Sequence, residues 1–384
     1  MRTAPGSRLS PRLSPGAGRD DTDIECVRTT KKQGKTMASD AAQKTILKLI
    51  LSLPSPILRA MSGGGVVYKG GRTLDPRFQF FANAAKKLPP MTSLSPAEAV
   101  AGSAKGLAVV QGPLEPGVRT ESLSVEGPNG PIPCRAYRPE QPDAKAPLIV
   151  YAHMGGGVIG DLETCHAFCS MLSSICRTTV ISVDYRLAPD HKFPAGLEDV
   201  LAAYRWARDN TARFGAAAVA PAIGGDSMGG NFSAIVAQEM MRKGEPQPAA
   251  QILIYPAVDV ASETASMTTY ADAYPLSRAT MDWFMGHYIG ADADPADPRL
   301  SPDKTADLTG LAPAVVATAG FDPLVDQGEG YAKRLQAAGV PVSYRCYDSL
   351  AHGFTAFTGA IPAADEACRE IAWLVRELFE KRTL

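Results

Sequence analysis

At 384 residues, and with roughly 150 residues per domain as a guide, the chain has room for two or three units or for one large α/β unit with additions. It carries 39 Lys and Arg against 40 Asp and Glu, with 45% hydrophobic and 21% charged residues. That near-neutral globular balance excludes a protein built to neutralise nucleic-acid phosphates. Seven cysteines, an odd number spread along the chain, do not form a disulfide framework of the secreted kind and point to a reduced compartment. No apolar run reaches the roughly 20 residues that span a bilayer. The expectation is a cytoplasmic protein with no stable membrane insertion and no nucleic-acid partner.

Residues 1–36 are rich in Arg, Ser, Pro and Gly without apolar periodicity, a composition expected to stay disordered. The run Thr45–Leu53, stopped by Pro54 and Pro56, reads as a short helix packed on the body in preference to a membrane-surface anchor. Amphipathic segments follow from Leu74 to Gly112, with Ser95 and Pro96 marking a helix start. Glu121–Arg138 alternates apolar and polar residues around Gly127-Pro-Asn-Gly130, which predicts strand, turn and strand.

After Pro147, short apolar runs alternate with amphipathic helices. The strands are predicted at Leu148–His153, Thr179–Asp184, Ala218–Gly224 and Ala250–Tyr255, with helices at Leu162–Cys176, Ala195–Arg213 and Gly229–Arg242. Runs that are apolar throughout suit strands covered on both faces, so this is an α/β protein with a parallel sheet. The rhythm breaks from Pro256 to Leu311 around Trp283 and Phe284. It resumes at Ala314–Ala319, Tyr331–Ala338, Val342–Tyr347 and a last helix, Ala363–Lys381. The domain boundaries expected are 37–115 for the N-terminal helices and 116–384 for the sheet unit, interrupted at about 256–311.

Gly225-Asp-Ser-Met-Gly229 lies between a strand and a helix. A sharp turn with small residues two before and two after presents Ser227 on a corner where a base can reach it. A hydroxyl needs such a base, and the base needs an acid to fix its tautomer. Of five histidines, His352 follows the last strand, at the carboxyl edge where catalytic groups gather. Asp322 follows the strand Ala314–Ala319 and is assigned as the orienting acid. Asp326 is expected to cap amides at the start of the next helix, and Asp348 stands too near His352 along one strand. His153-Met-Gly-Gly-Gly157 follows another strand. Its Gly155 and Gly156 amides, with that of Met228, would converge on one oxygen. Cys165-His166-Ala-Phe-Cys169 is read as helix packing, not as a metal site, because adjacent residues face different sides of a helix.

With these motifs go Val158-Ile-Gly-Asp-Leu-Glu-Thr164, the block Asp184-Tyr-Arg-Leu-Ala-Pro-Asp-His-Lys-Phe-Pro-Ala195, Asp322-Pro-Leu and His352-Gly-Phe. Together, over Pro147–Phe354, the sequence resembles the bacterial hormone-sensitive lipase family of esterases. The resemblance implies an α/β-hydrolase fold with a mostly parallel eight-stranded sheet and a helical cap made from the N-terminal helices and the 256–311 insertion. It also implies hydrolysis of short- to medium-chain carboxylic esters through an acyl-enzyme without cofactor, and a homodimer. Phe78, Phe80, Trp283 and Phe284 are the candidates for substrate contact under the cap. Met154 stands where the family has glycine, Gly157 where an aromatic residue is common and Met228 where alanine is common. A left-handed Met154 would cost about 1–2 kcal/mol. An amidase or deacetylase with the same triad, and a non-catalytic receptor on the same fold, remain alternatives at this point.

Overall fold

The computed structural model describes residues 45–382. Contacts divide the chain into Met1–Ile46 and Leu47–Leu384. Of the first unit only residues 45 and 46 are described, so the disorder expected for residues 1–36 lies outside the described residues. Everything below concerns the second unit.

Its main sheet has eight strands: β1 Val118–Gly127, β2 Gly130–Pro139, β3 Ile149–Ala152, β4 Val180–Val183, β5 Ala222–Asp226, β6 Gln251–Ile254, β7 Ala314–Phe321 and β8 Val342–Ala351. The spatial order is β8-β7-β6-β5-β3-β4-β2-β1. β1 and β2 form a hairpin closing at Gly127 and Gly130, and β2 runs antiparallel to β4. All other pairings are parallel. Every residue of β3, β4, β5 and β7 is buried, which is why these stretches are mostly apolar and do not alternate, with Ser182, Asp226 and Thr318 as buried polar exceptions. The edge strand β1 does alternate.

The helices are α1 Ser55–Met61, α2 Pro76–Ala85, α3 Pro96–Val110, α4 His166–Cys176, α5 Ala195–Asp209, α6 Met228–Arg242, α7 Ala265–Thr269, α8 Arg278–Tyr288, α9 Val325–Ala337 and α10 Pro362–Arg382. Successive strand residues feed opposite faces of the sheet. Ile149 and Tyr151 enter a core with Phe168 and Leu172 of α4 and Ile371 and Val375 of α10. Val150 and Ala152 enter a second core with Val200 and Tyr204 of α5 and Phe232 and Ile235 of α6. Burying each such side chain stabilises the fold by about 1.5–3 kcal/mol.

Several boundaries shift for local reasons. α4 starts at His166, not at Leu162, because Asp161 Oδ1 accepts from the amides of Glu163 and Thr164 and holds that stretch in a turn. β5 starts after Pro221, which has no amide to give a ladder, so it begins later than Ala218. α5 ends at Asp209, and Thr211–Phe214 is a separate tight turn of helix. The start of α3 is as expected. The Ser95 side chain accepts from the Glu98 amide at 3.3 Å, and the Glu98 carboxylate accepts from the Ser95 amide at 2.9 Å. The helix running through Leu51 packs by Leu47 and Leu51, also as expected, but leaves Leu49 outside. Among the described residues no helix is long and apolar enough to cross a membrane.

The insertion between β6 and β7 contains α7 and α8. Met91 and Leu94, on the short helical turn before α3, pack with Trp283, Phe284 and Met285 of α8. The N-terminal segment and the insertion therefore share packing above the strand ends.

Candidate active site

Ser227 sits between β5 and α6 with φ 55° and ψ −115°, a region non-glycine residues rarely occupy. The corner is tight. A Cβ at Gly225 would run into the backbone of Gly229, and a Cβ at Gly229 would run into the carbonyls of Ala152 and His153 at the end of β3. The two glycines of the motif are thus required by close backbone approach. The turn is held from outside by the Ser227 amide donating to Ile254 O at 2.8 Å. Asn231, one turn into α6, donates from Nδ2 to Ala257 O at 2.6 Å and Leu300 O at 2.9 Å.

The ends of three parallel strands bring the candidate residues together. His352, just past β8, places Nε2 2.9 Å from Ser227 Oγ. Its Nδ1 lies 2.7 Å from Asp322 Oδ2. Asp322, just past β7, is fully buried, and its other oxygen accepts from the Leu324 amide at 2.8 Å. An ionised carboxylate can only accept, so Nδ1 carries the proton and Nε2 is free to accept from the serine hydroxyl. β7 and β8 meet closely here because Gly320 has no Cβ, which would strike the backbone of Asp348.

The loop after β3 has three consecutive positive φ values, 127°, 62° and 72° at Gly155, Gly156 and Gly157. A Cβ at Gly155 would meet Ile159 O, one at Gly156 the ring of Phe284, and one at Gly157 the ring of Tyr288. α8 of the insertion therefore rests directly on this loop. The amides of Gly155, Gly156 and Met228 have no acceptor among the described residues, which leaves them able to bind an oxygen. Met154 does not take the left-handed backbone considered above. Among described non-glycine residues only Arg177, Ser227 and Tyr255 have positive φ, so that strain is absent. The Met154 sulfur instead lies against Gly353, beside His352. Met228 is buried in the core that holds Val158 and Phe284.

The other sequence candidates separate. Phe284 covers Gly156, and Trp283 packs edge-on to it at 5.3 Å. Phe78 is fully buried against Phe357, with ring centroids 5.0 Å apart, and Phe80 is half-buried beside Phe81. Asp326 does not cap its own helix. Its Oδ2 accepts from the Ser266 amide at 2.7 Å, in the first turn of α7, because the chain returns that amide to it across the insertion. Asp348 pairs with Arg72 at 2.9 Å. Cys165 donates to Asp226 while His166 Nδ1 faces Arg135 and the Tyr137 hydroxyl, so the two adjacent side chains do point apart.

Sequence reasoning missed the support beneath these three side chains. Asp226, next to Ser227 and fully buried, accepts from the Tyr255 hydroxyl at 2.8 Å, the Thr355 hydroxyl at 2.7 Å and the Cys165 thiol at 3.3 Å. The Tyr255 ring stands 4.7 Å from the His352 ring. Burial, then the Asp226 charge, push the Tyr255 hydroxyl well above its ordinary value, so it remains a donor. His153 is stacked on Tyr185 at 4.2 Å, and burial lowers its pKa, which keeps it neutral. A carboxylate beside the serine, with a tyrosine ending the next strand, was the available signal.

Comparison with known proteins gives a consistent neighbourhood. Residues 149–356 match a family model described as the alpha/beta hydrolase fold. The carboxylic ester hydrolase LipN of Mycobacterium tuberculosis is 42% identical over 316 residues, 80% of this chain and 84% of that protein. The ethyl acetate hydrolase of Pseudomonas putida is 34% identical over 73% of this chain and 90% of that protein. Among solved structures, an ester hydrolase from the metagenome of Lake Arreo, complexed with a derivative of bipyridine phosphonate, superposes with a TM-score of 0.77 at 40% identity. It covers 80% of this chain and 99% of that one.

Proposed function

The chain belongs to the α/β-hydrolase-fold family and, with the esterases it resembles, to the carboxylic ester hydrolases; from that premise we propose a serine mechanism acting on short- to medium-chain esters. Ser227 Oγ attacks the ester carbonyl carbon as His352 Nε2 takes its proton. The carbonyl oxygen becomes an anion bound by the amides of Gly155, Gly156 and Met228. The imidazolium returns its proton to the leaving alkoxide as the carbon–oxygen bond breaks, giving alcohol and an acyl-serine. Water, deprotonated by the same nitrogen, then attacks the acyl group, and the acid leaves with Ser227 restored. Asp322 stays ionised and holds Nδ1–H throughout.

The observation that carries this reading is the relay of 2.9 Å from Ser227 to His352 and 2.7 Å from His352 to Asp322. The free amides of the glycine loop, with Phe284 packed on Gly156 and the Met154 sulfur against Gly353 beside His352, support a small apolar acyl site beside the loop.

The test is a series of initial rates on aryl esters of graded acyl length. Turnover should be highest at short to medium acyl lengths, and Ser227→Ala should remove it by about 10⁴-fold or more. A Ser227→Ala protein working at the parent rate would overturn the assignment, and matched amides turned over as well as esters would move the activity to amide substrates.

A further inference from the structure

Residues 47–110 differ from the rest of the chain in charge and in what they leave uncovered. They carry eight lysines and arginines against two carboxylates, Asp75 and Glu98, a net charge of +6, whereas the whole chain stands at −1. Lys48 and Lys87 are exposed and have no ion-pair partner among the described residues.

The same segment concentrates uncovered apolar side chains. Of nine large hydrophobic residues exposed among those described, six lie here: Leu49, Ile57, Met61, Val66, Tyr68 and Leu88, between 46% and 68% exposed. Scattered exposed hydrophobics need no explanation, but a cluster in one short stretch does. On the two helices the spacing turns apolar side chains outward. The helix ending at Leu51 turns Leu47 and Leu51 to the core and Leu49 away. α1 buries Leu58 and exposes Ile57 and Met61 on successive turns. Leu88 directly follows Lys86 and Lys87, so the apolar and basic side chains adjoin.

The segment is one packed piece. Arg77 Nε donates to Leu51 O at 3.0 Å, Gln79 Nε2 donates to Gly65 O at 3.3 Å, and α1 packs on α2. Its inner side reaches the site. The Asp75 amide donates to Ser349 O at 2.9 Å, three residues before His352, and Phe78 packs on Phe357 just after it.

We propose that this outer face docks the protein on an anionic lipid surface, the apolar side chains entering the headgroup boundary and the lysines meeting lipid phosphates. The charge selects this occupant over a second copy of the chain. Lys69 and Arg72 are paired with Asp272 and Asp348 outside the segment, but a two-fold interface would still set the exposed Lys48, Lys86 and Lys87 of one copy against those of the other. Docking here would hold the His352 side of the active site toward the bilayer, where apolar esters partition.

The test is flotation of the full chain with vesicles of phosphatidylcholine containing about 30% phosphatidylglycerol, against vesicles of phosphatidylcholine alone, across a salt series. Wild-type protein should float with the anionic vesicles and lose binding with salt. A Lys86→Glu/Lys87→Glu variant should bind at least about fivefold more weakly. Leu49→Asp/Ile57→Asp/Met61→Asp should abolish flotation while hydrolysing a soluble ester at the wild-type rate, which also shows that it folds. Absence of flotation by the wild type would overturn the proposal. So would binding that persists in both variants, or a dimer by sedimentation that only the apolar variant loses without any vesicle binding. Because the readout is flotation, the result stands apart from the assignment of the catalytic residues.

Discussion

The contact between α8 and the glycine loop makes a prediction that separates steric from backbone effects. Gly156 has φ 62°, and a Cβ there would enter the Phe284 ring; Gly155 has φ 127°, and its Cβ would meet the backbone carbonyl of Ile159. Gly156→Ala therefore meets two obstacles, a left-handed backbone costing about 1–2 kcal/mol and a clash with a side chain. Either displaces the amide from the developing oxyanion, and loss of one such donor costs about 2.7–4 kcal/mol, or roughly 10²–10³ in kcat. Removing the ring should relieve only the second obstacle. Gly156→Ala/Phe284→Ala should thus recover about tenfold in kcat over Gly156→Ala, even though Phe284→Ala alone weakens acyl contact. Gly155→Ala/Phe284→Ala should recover nothing, since a carbonyl of the main chain cannot be cut away. The assay is kcat on one soluble aryl ester for the wild type and the five variants, read as two double-mutant cycles. Equal rescue of both alanine variants, or of neither, would refute the reasoning.

Asp226→Asn should leave Tyr255 and Thr355 competing for a weaker acceptor in a fully buried position, lowering stability by about 1–3 kcal/mol; thermal unfolding of the variant checks this, and an unchanged Tm would contradict it. Glu245 accepts from Arg205 and Arg208, and the Arg205 contact above all holds its carboxyl at about 2, below the ordinary 4.5. A lowered folded value contributes stability that is present above the ordinary value and lost as pH falls from about 4.5 toward about 2. Glu245→Gln should therefore cost about 1 kcal/mol at neutral pH, and the difference from wild type should vanish in denaturant titrations carried out near pH 2.

Much of the sheet was legible because β3, β5 and β7 are buried on both faces and so read as short, mostly apolar runs between helices, although β5 begins later than its run suggested. The triad candidates were legible for a related reason: each follows such a run, and a parallel sheet delivers all strand ends to one edge. What could not be read was set by contacts between distant segments. The late start of α4 depends on Asp161 holding its own turn, which propensity does not reveal. Asp326 looked like a cap for its own helix and serves the amide of Ser266, sixty residues earlier, because only the folded insertion brings that amide within reach. Phe78 and Phe284 were indistinguishable as exposed-segment aromatics. One fills the core against Phe357, and the other lies on Gly156. The backbone of Met154 escaped the strain feared for it because the following three glycines absorb the positive φ values.

The central claim is that the hydroxyl of Ser227 becomes covalently acylated. The most direct measurement is treatment with an aryl phosphonate that mimics the tetrahedral intermediate, followed by mass spectrometry of the digested protein. One adduct per chain should appear on the peptide containing Ser227, in step with loss of ester hydrolysis, and His352→Ala should suppress its formation. An adduct on another residue, or complete inactivation with Ser227 unmodified, would contradict the account.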